Sequence, residues 1–548
     1  VTDQVVDAPF DLDAARAEFR GRGLWGHPKV TTYLDIAAAE FPEKTAVVDP
    51  RGARVSFAQL KDTVDRMAAG FRESGLEKGD VVAVQLPNWL ESCISHLALV
   101  RCGMVTLFLA PPQRGHDLRY ILERSAPKMF VIPAEHRTGR HVEMYAEMRG
   151  ALGHPPGIVV GAAGAELPEG MTTWEEFLDG REPDGRDEPV ELADPQFMVF
   201  SSGTTADPKG VLHSYGTGDY HIHVWRQLLD FGHSDVIFTP ATLGHVAGSQ
   251  FGLRLATLLG SKLVLMDRWD PAEAIEVIER EGATYSFVTP TFLEDMLASP
   301  ALRKEAFRTF RTWTIGGSRI RPTLVTEFEE RAGGKVLRGF GMTEHMMSGL
   351  CRAYDPLEKR TQTDGRPLPG CRYRIVDPED SSRELPAGTV GELVYRGPAL
   401  VDGYFTSEEE TRKTFVDGWQ LSGDLAVLDE AGFMTIVDRK KDMIIRGGEN
   451  ISPLEIENVL ARHDSVAEVT VVRYPDRRLG ERVCAVVVPA PEAEVTLELL
   501  TAFLAEHEVA RYKHPERLEL RDELPRSNIG KVLKRVLEQE FEREAQEA

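Results

Sequence analysis

A chain of 548 residues with 42% hydrophobic and 28% charged positions is ordinary for a globular protein, long enough for about three to four folding units of ~150 residues. Its net charge of −23 argues against nucleic acid or an anionic membrane as a partner, so any polyanionic ligand must be held by local cations and backbone dipoles. Five scattered cysteines without a CxxC suit reduced thiols in a cytoplasm, and the acidic N-terminus and lack of an apolar run of about 18 residues give no reason to expect secretion or a membrane span.

From Lys29 to about Pro133, helical patterns alternate with short β-rich runs such as Val81-Val-Ala-Val-Gln-Leu86 and Lys128-Met-Phe-Val-Ile-Pro133. That alternation predicts layered α/β structure with crossover helices. Residues 150–194, rich in Gly, Pro and acids, read as a surface excursion or a seam. The strand signal resumes at Phe197–Phe200, Asp235–Thr239, Lys262–Met266 and Tyr285–Val288. From Gly370 to Tyr404 short strands with Gly/Pro turns, such as Gly391-Glu-Leu-Val-Tyr395, predict a β-rich subdomain. After the charged stretch Asp438-Arg-Lys-Lys-Asp442, Ser452-Pro-Leu-Glu455 is a helix start: capping serine, proline at the first helical position, glutamate three residues after the cap. Two β-rich runs (Val469–Val472, Val483–Val488), a helix over Leu497–Glu508 and a last helix from about Lys531 complete a unit large enough to be a domain. The expected fold class is α/β: a large N-terminal domain of layered α/β subdomains plus a β-rich subdomain (1–438), and a small mobile α+β C-terminal domain (439–548).

Chemistry concentrates first in Phe200-Ser-Ser-Gly-Thr-Thr-Ala-Asp-Pro-Lys-Gly210. This segment offers a polyphosphate backbone N–H groups, hydroxyl donors and one mobile cation, with Gly203 and Gly210 allowing close approach. Pro208 stands where a Walker A loop needs glycine. By composition alone the segment is a plain surface loop; its weight comes from the motifs that accompany it downstream. His213, His221 and His223 lie close in sequence, but no cysteine or carboxylate spacing completes a zinc site, and they read as surface or pocket histidines.

Five segments match in order those of the adenylate-forming superfamily: Ser201–Gly210, Gly339-Phe-Gly-Met-Thr-Glu344, Ser422-Gly-Asp424, Asp438-Arg439 with Arg446-Gly-Gly-Glu-Asn450, and Leu524-Pro-Arg-Ser-Asn-Ile-Gly-Lys531. From about Lys29 to Leu537 the chain resembles this family of acyl-CoA synthetases, carrier-protein-loading adenylation domains and beetle luciferases. The resemblance implies an enzyme that joins a carboxylate to AMP with release of pyrophosphate, then passes the acyl group to a thiol. It assigns Ser201, Ser202, Gly203, Thr204, Thr205 and Lys209 to the ATP phosphates, Thr343 to the α-phosphate and Glu344 to Mg²⁺. Gly316, Gly317 and Ser318 would border the adenine and acyl carboxylate, with Gly339, Phe340 and Gly341 beside them. Phe340 replaces a frequent tyrosine, and either ring can stack on adenine. Asp424 would bind the ribose hydroxyls, and Arg439 would make a second ribose or phosphate contact. Lys531, in isolation an exposed helix lysine, would bridge the acyl carboxylate and α-phosphate. Lys441 would be the hinge about which the C-terminal domain swings between half-reactions, and Gly447 and Gly448 would line a thiol tunnel.

Three departures limit what the resemblance carries over, and the third bears on specificity. Ala206 replaces a usual glycine, Ser422 a frequent threonine, and His345-Met346-Met347 follows Glu344 where relatives carry small residues. Since that segment borders the acyl pocket in the family, bulk there implies a compact acid. The opposite wall is expected at Thr242–Gly248, where Gly244, Ala247 and Gly248 would leave room for a flat ring. There His245 would gate the pocket or touch the carboxylate, its plain alternative being a packed histidine. Val84–Trp89, Val131–Glu135 and Arg446–Pro453 are similar in texture to cyclohexanecarboxylate-type CoA ligases. The leading expectation is an ATP- and Mg²⁺-dependent ligase joining a compact cyclic, aromatic or branched acid to coenzyme A, with no nucleic-acid or membrane partner and with a homodimer allowed. The alternatives are a stand-alone adenylation enzyme loading the phosphopantetheine arm of an acyl carrier protein, and ATP-dependent activation of nitrite for diazotisation.

Overall fold

The computed structural model describes residues 11–137, 139–201, 208–318, 320–447, 449–526 and 532–547, without the side chains of residues 116, 201, 450 and 545–547. The chain divides into two compact units, Val1–Arg372 with Tyr395–Gln420, and Tyr373–Val394 with Leu421–Ala548. The expected β-rich segment thus falls largely in the same compact unit as the C-terminal residues, and the compact division does not fall at 438.

In the first unit a seven-stranded sheet runs in the order Lys209–Ser214, Pro195–Ser201, Val105–Phe108, Val81–Val84, Met129–Pro133, Gly157–Val160, Met171–Thr173. Its inner strands are parallel, and their apolar runs reflect burial on both faces. The last two strands come from the stretch read as a surface excursion. Gly157-Ile-Val-Val160 is wholly buried, a short apolar run obscured by flanking Gly, Pro and acids.

The second sheet of this unit sets Lys335–Phe340, Thr312–Ile315, Tyr285–Val288, Val236–Thr239 and Lys262–Leu265 side by side in parallel. Helices Pro271–Glu281, Pro290–Ala298 and Pro322–Arg331 each begin on proline, whose missing N–H is no loss in the first turn. They pack over Phe307, Phe310, Trp313 and Phe328, with Phe310 and Trp313 stacked at 3.9 Å between centroids. Three of the motif segments lie at the carboxyl ends of these strands: 339–344 at the end of Lys335–Phe340, 316–318 after Thr312–Ile315, and 242–248 after Val236–Thr239. In open parallel sheets this is the edge where ligands bind.

The second unit carries residues 421–428 of the strand Trp419–Leu428, antiparallel to Met434–Arg439, with Asp424 opposite Arg439. A further sheet is centred on the long hairpin Val466–Asp476 and Gly480–Pro489, with Arg517–Leu520 parallel to the latter. Helix Pro453–Leu460 begins as expected, the Ser452 hydroxyl accepting from Glu455 N–H. It packs with Leu497–Glu506 over Ile444, Val471, Val483 and Val487. Among the described residues no helix is long and apolar enough to cross a membrane. All five cysteines are buried free thiols.

Candidate functional site

The hairpin Pro195–Ser201/Lys209–Ser214 closes with Ser201 opposite Lys209. Ser202, Gly203, Thr204 and Thr205 lie outside the described residues, as does the Ser201 side chain. Immediately after the hairpin's return, Gly210 is gripped by the segment 404–406: Phe405 N–H donates to its carbonyl at 2.8 Å, and its own N–H donates to Thr406 Oγ1 at 3.3 Å. Val211 bridges Tyr404 in the same register. These contacts bring Lys209 to two unexpected partners. Its Nζ lies 2.7 Å from Glu410 Oε2 and 4.7 Å over the centroid of the Tyr404 ring.

The same segment reaches the second motif. Tyr404 Oη donates to Glu344 Oε1 at 2.7 Å, and Val401 N–H donates to the Glu344 carbonyl at 3.1 Å. Glu344 is only 5% exposed. The tyrosine bond engages one of the two carboxylate oxygens. Burial, and then the Glu344 charge, push the Tyr404 phenol above its ordinary range, which keeps it a donor.

Two histidines hold the backbone around Thr343 and Glu344. His213 Nε2 donates to the Thr343 carbonyl at 2.8 Å, and His221 Nε2 to the Met347 carbonyl at 2.7 Å. Both rings are fully buried rather than on the surface, and burial pushes them down to about 3 and about 4, so both are neutral donors. His213 also stacks on Phe197 at 4.8 Å. Between the clamped carbonyls, Met346 adopts a positive φ of 53°, sparsely populated for a side chain of this kind. His345 packs on Tyr395 and Phe340.

Phe108, Phe197, Val199, Val211, Val246, Met346, Val401 and Tyr404 form one buried apolar cluster beneath these groups. It ties the hairpin, the 344–347 segment and the 242–248 segment to one support. Met346 and Met347 are 3% and 2% exposed.

The glycines of the expected acyl wall have a different reason from the expected one. A Cβ at Gly248 would collide with the carbonyls of Ala241 and Thr242, and one at Gly244 would lie 2.6 Å from the Leu109 carbonyl. Neighbouring backbone fills the space these glycines vacate, so they do not create room for a flat ring. A Cβ at Gly316 would lie 2.8 Å from the Gly339 carbonyl, and one at Gly339 or Gly341 would strike the Met346–Met347 segment. Gly317 has φ +83°, a conformation only glycine adopts easily, beside exposed Ser318. The wall itself is anchored by an asparagine that sequence reasoning passed over. Asn88 donates to the carbonyls of Ala241 and Met266 at 2.9 Å and accepts from Leu243 N–H at 2.7 Å. His245 Nδ1 accepts from Ala247 N–H at 3.2 Å, and burial pushes the ring down to about 4, leaving it neutral with its proton on Nε2.

In the second unit Arg439 Nε lies 3.1 Å from Asp424 Oδ1, with Asp424 4% exposed. Ser422 Oγ accepts from Asp424 N–H at 3.0 Å and donates to the Leu393 carbonyl at 2.6 Å, so the hydroxyl that replaces a frequent threonine shapes this turn. Asp438 accepts from Ser452 Oγ at 2.5 Å and from Leu454 N–H at 3.1 Å. Lys441 has its pKa lowered by burial, and its carbonyl accepts from Arg473 at 3.0 Å. Gly447 has φ +61°, so the turn itself demands glycine there. Gly448 and Lys531 lie outside the described residues.

Residues 34–405 match the AMP-binding enzyme family and residues 455–531 the AMP-binding enzyme C-terminal domain. The chain is 33% identical over 532 residues to a medium-chain fatty-acid–CoA ligase of Escherichia coli (strain K12), covering 96% of this chain and 93% of that protein. It is 32% identical over 544 residues to a salicylyl-CoA synthase / salicylate adenylyltransferase of a Streptomyces species, covering 96% of each. The crystal structure of ATP-bound MatB from Rhodopseudomonas palustris superposes with a TM-score of 0.85 at 27% identity, over 94% of this chain and 99% of that one.

Proposed function

Because the chain belongs to the AMP-binding enzyme family, we propose that it activates a compact cyclic, aromatic or branched carboxylic acid as an acyl adenylate and transfers the acyl group to coenzyme A. The observation that carries this reading is the convergence of Lys209, Thr343 and Glu344 on one rigid support, tied by Tyr404 and the His213 clamp. A carboxylate is a poor nucleophile toward an anionic phosphate, so the protein must screen charge and hold the two in line. Lys209 and the 201–205 segment take the phosphates, Thr343 the α-phosphate, Asp424 the ribose, and Arg439 the ribose or a phosphate. Gly316–Ser318 and Gly339–Gly341 border the base and the acyl carboxylate. Glu344 is the residue that would hold Mg²⁺, which when bound neutralises charge on the phosphate oxygens. Lys531 supplies the positive charge between carboxylate and α-phosphate, and residues 439–548 then move about Lys441 to expose a thiol path lined by Gly447 and Gly448.

Support for a compact acid is the buried Met346–Met347 pair, backed by Gly316 and Gly339. His245 and Gly248 face the same wall in this reading. The alternative acceptor is the phosphopantetheine thiol of a carrier protein, since relatives named for adenylation, an adenylyltransferase and an AMP ligase, leave the identity of the thiol open. Product analysis after single turnover with CoA and with a carrier protein tests the choice. Formation of an acyl-CoA supports the first reading, and acylation of the carrier alone supports the second.

A further inference from the structure

Glu410 belongs to none of the matched motifs, yet it holds the lysine assigned to the ATP phosphates. The ion pair is 2.7 Å long, its lysine 16% and its glutamate 30% exposed, and it is built in by the fold. Pairing of 404–406 with 210–211 sets the register, and Ser407 caps the helix Glu408–Thr414, its hydroxyl accepting from Glu410 N–H at 3.2 Å. Beneath the pair, the Tyr404 ring carries the lysine ammonium on its face. The hydrogen bond from Lys209 is the main cause of a Glu410 carboxyl held below its ordinary range, so it stands beside the lysine as a carboxylate at neutral pH.

A lysine committed to a carboxylate is not available to a phosphate. On the reading that Lys209 binds the terminal phosphates of ATP, we propose that Glu410 is a competing internal anion. It occupies Lys209 in the nucleotide-free protein and must be displaced when a nucleoside triphosphate binds. The geometry provides for the exchange. Glu410 Oε1 lies 3.6 Å from Lys413 Nζ on the next turn of the same helix, so the released carboxylate keeps a cation partner. Until displaced, Glu410 also sets a negative charge beside the position the triphosphate takes. Its cost therefore falls on a ligand whose terminal phosphates need Lys209, and spares one that leaves the ion pair in place.

The test is direct titration calorimetry of ATP and of AMP, each with Mg²⁺, into the wild-type chain, Glu410→Gln and Glu409→Gln. Glu409 pairs with Lys413 at 2.6 Å and is 78% exposed, so its substitution makes the same change of net charge without touching Lys209. Glu410→Gln should bind ATP about 3- to 5-fold more tightly than wild type while AMP, which has no β- or γ-phosphate, binds unchanged. Glu409→Gln should match wild type for both. Equal or weaker ATP binding by Glu410→Gln, or an equal gain for AMP, would overturn the proposal. Failure of the wild-type chain to bind ATP at all would instead overturn the functional reading on which it rests.

Discussion

Tyr404 and Glu344, sixty positions apart in the chain, share a 2.7 Å hydrogen bond in which the phenol donates to a buried carboxylate oxygen. The tyrosine is fixed from below by the apolar cluster and carries Lys209 on its ring. One side chain therefore orients two groups that would act on the same triphosphate. Groups that orient a metal ligand usually contribute 10–100-fold to metal affinity or activity. Tyr404→Phe should preserve the fold and raise the Mg²⁺ concentration needed for half-maximal ATP–pyrophosphate exchange by about 10-fold. An unchanged Mg²⁺ dependence would remove the orienting role.

Buried neutral histidines make the first unit acid-sensitive. His213 and His345 are pushed down to about 3, and His221 and His245 to about 4, in each case mainly by burial. The unfolded chain titrates these rings near about 6.5, so between that pH and about 3–4 it binds more protons than the folded chain. Stability is thus fullest above about pH 6.5 and falls as pH drops through this window. Thermal unfolding followed from about pH 7.5 to about pH 5 should show a falling midpoint, with a shallower slope in His213→Gln. A flat profile would contradict the assignment of neutral rings.

Gly248 and Gly244 are required by backbone packing. Gly248→Ala drives a methyl into two carbonyls and should cost about 1–3 kcal/mol of stability, measured by urea unfolding. Stability unchanged, with only the acid preference altered, would restore the view that these glycines make substrate space.

The half-reactions should separate genetically. Lys531→Ala is expected to abolish exchange while ATP binding persists, and Lys441→Pro to slow thioester formation more than adenylation. Near-wild-type exchange in the first variant, or equal losses in both steps for the second, would count against these roles.

Much of the architecture is legible in the sequence because strand signals such as Val81–Val84 and Tyr285–Val288 are short apolar runs between clear punctuators, and the Ser452-Pro453 start is a local device. The buried strand Gly157–Val160 is not, since its flanks carry the composition of a loop. Matched motifs name Lys209 and Glu344, but nothing local marks Tyr404, Glu410, Asn88 or His213 as supports of the site. Their contacts join residues 60 to 201 positions apart, and only the folded sheets bring them together. The glycines show a subtler failure: their identity is readable, but whether a missing side chain serves a ligand or a neighbouring carbonyl depends on packing.

Acyl adenylation is the step on which every residue assignment in this site depends, and substrate-dependent ATP–pyrophosphate exchange reads it without a second acceptor. The panel should span small cyclic, aromatic and branched carboxylates together with nitrite. Strong exchange with at least one compact carboxylate, lost in Glu344→Gln, is the expected result. Silence with every carboxylate would refute acyl adenylation, and exchange with nitrite alone would replace acyl transfer by nitrite activation as the chemistry of this site.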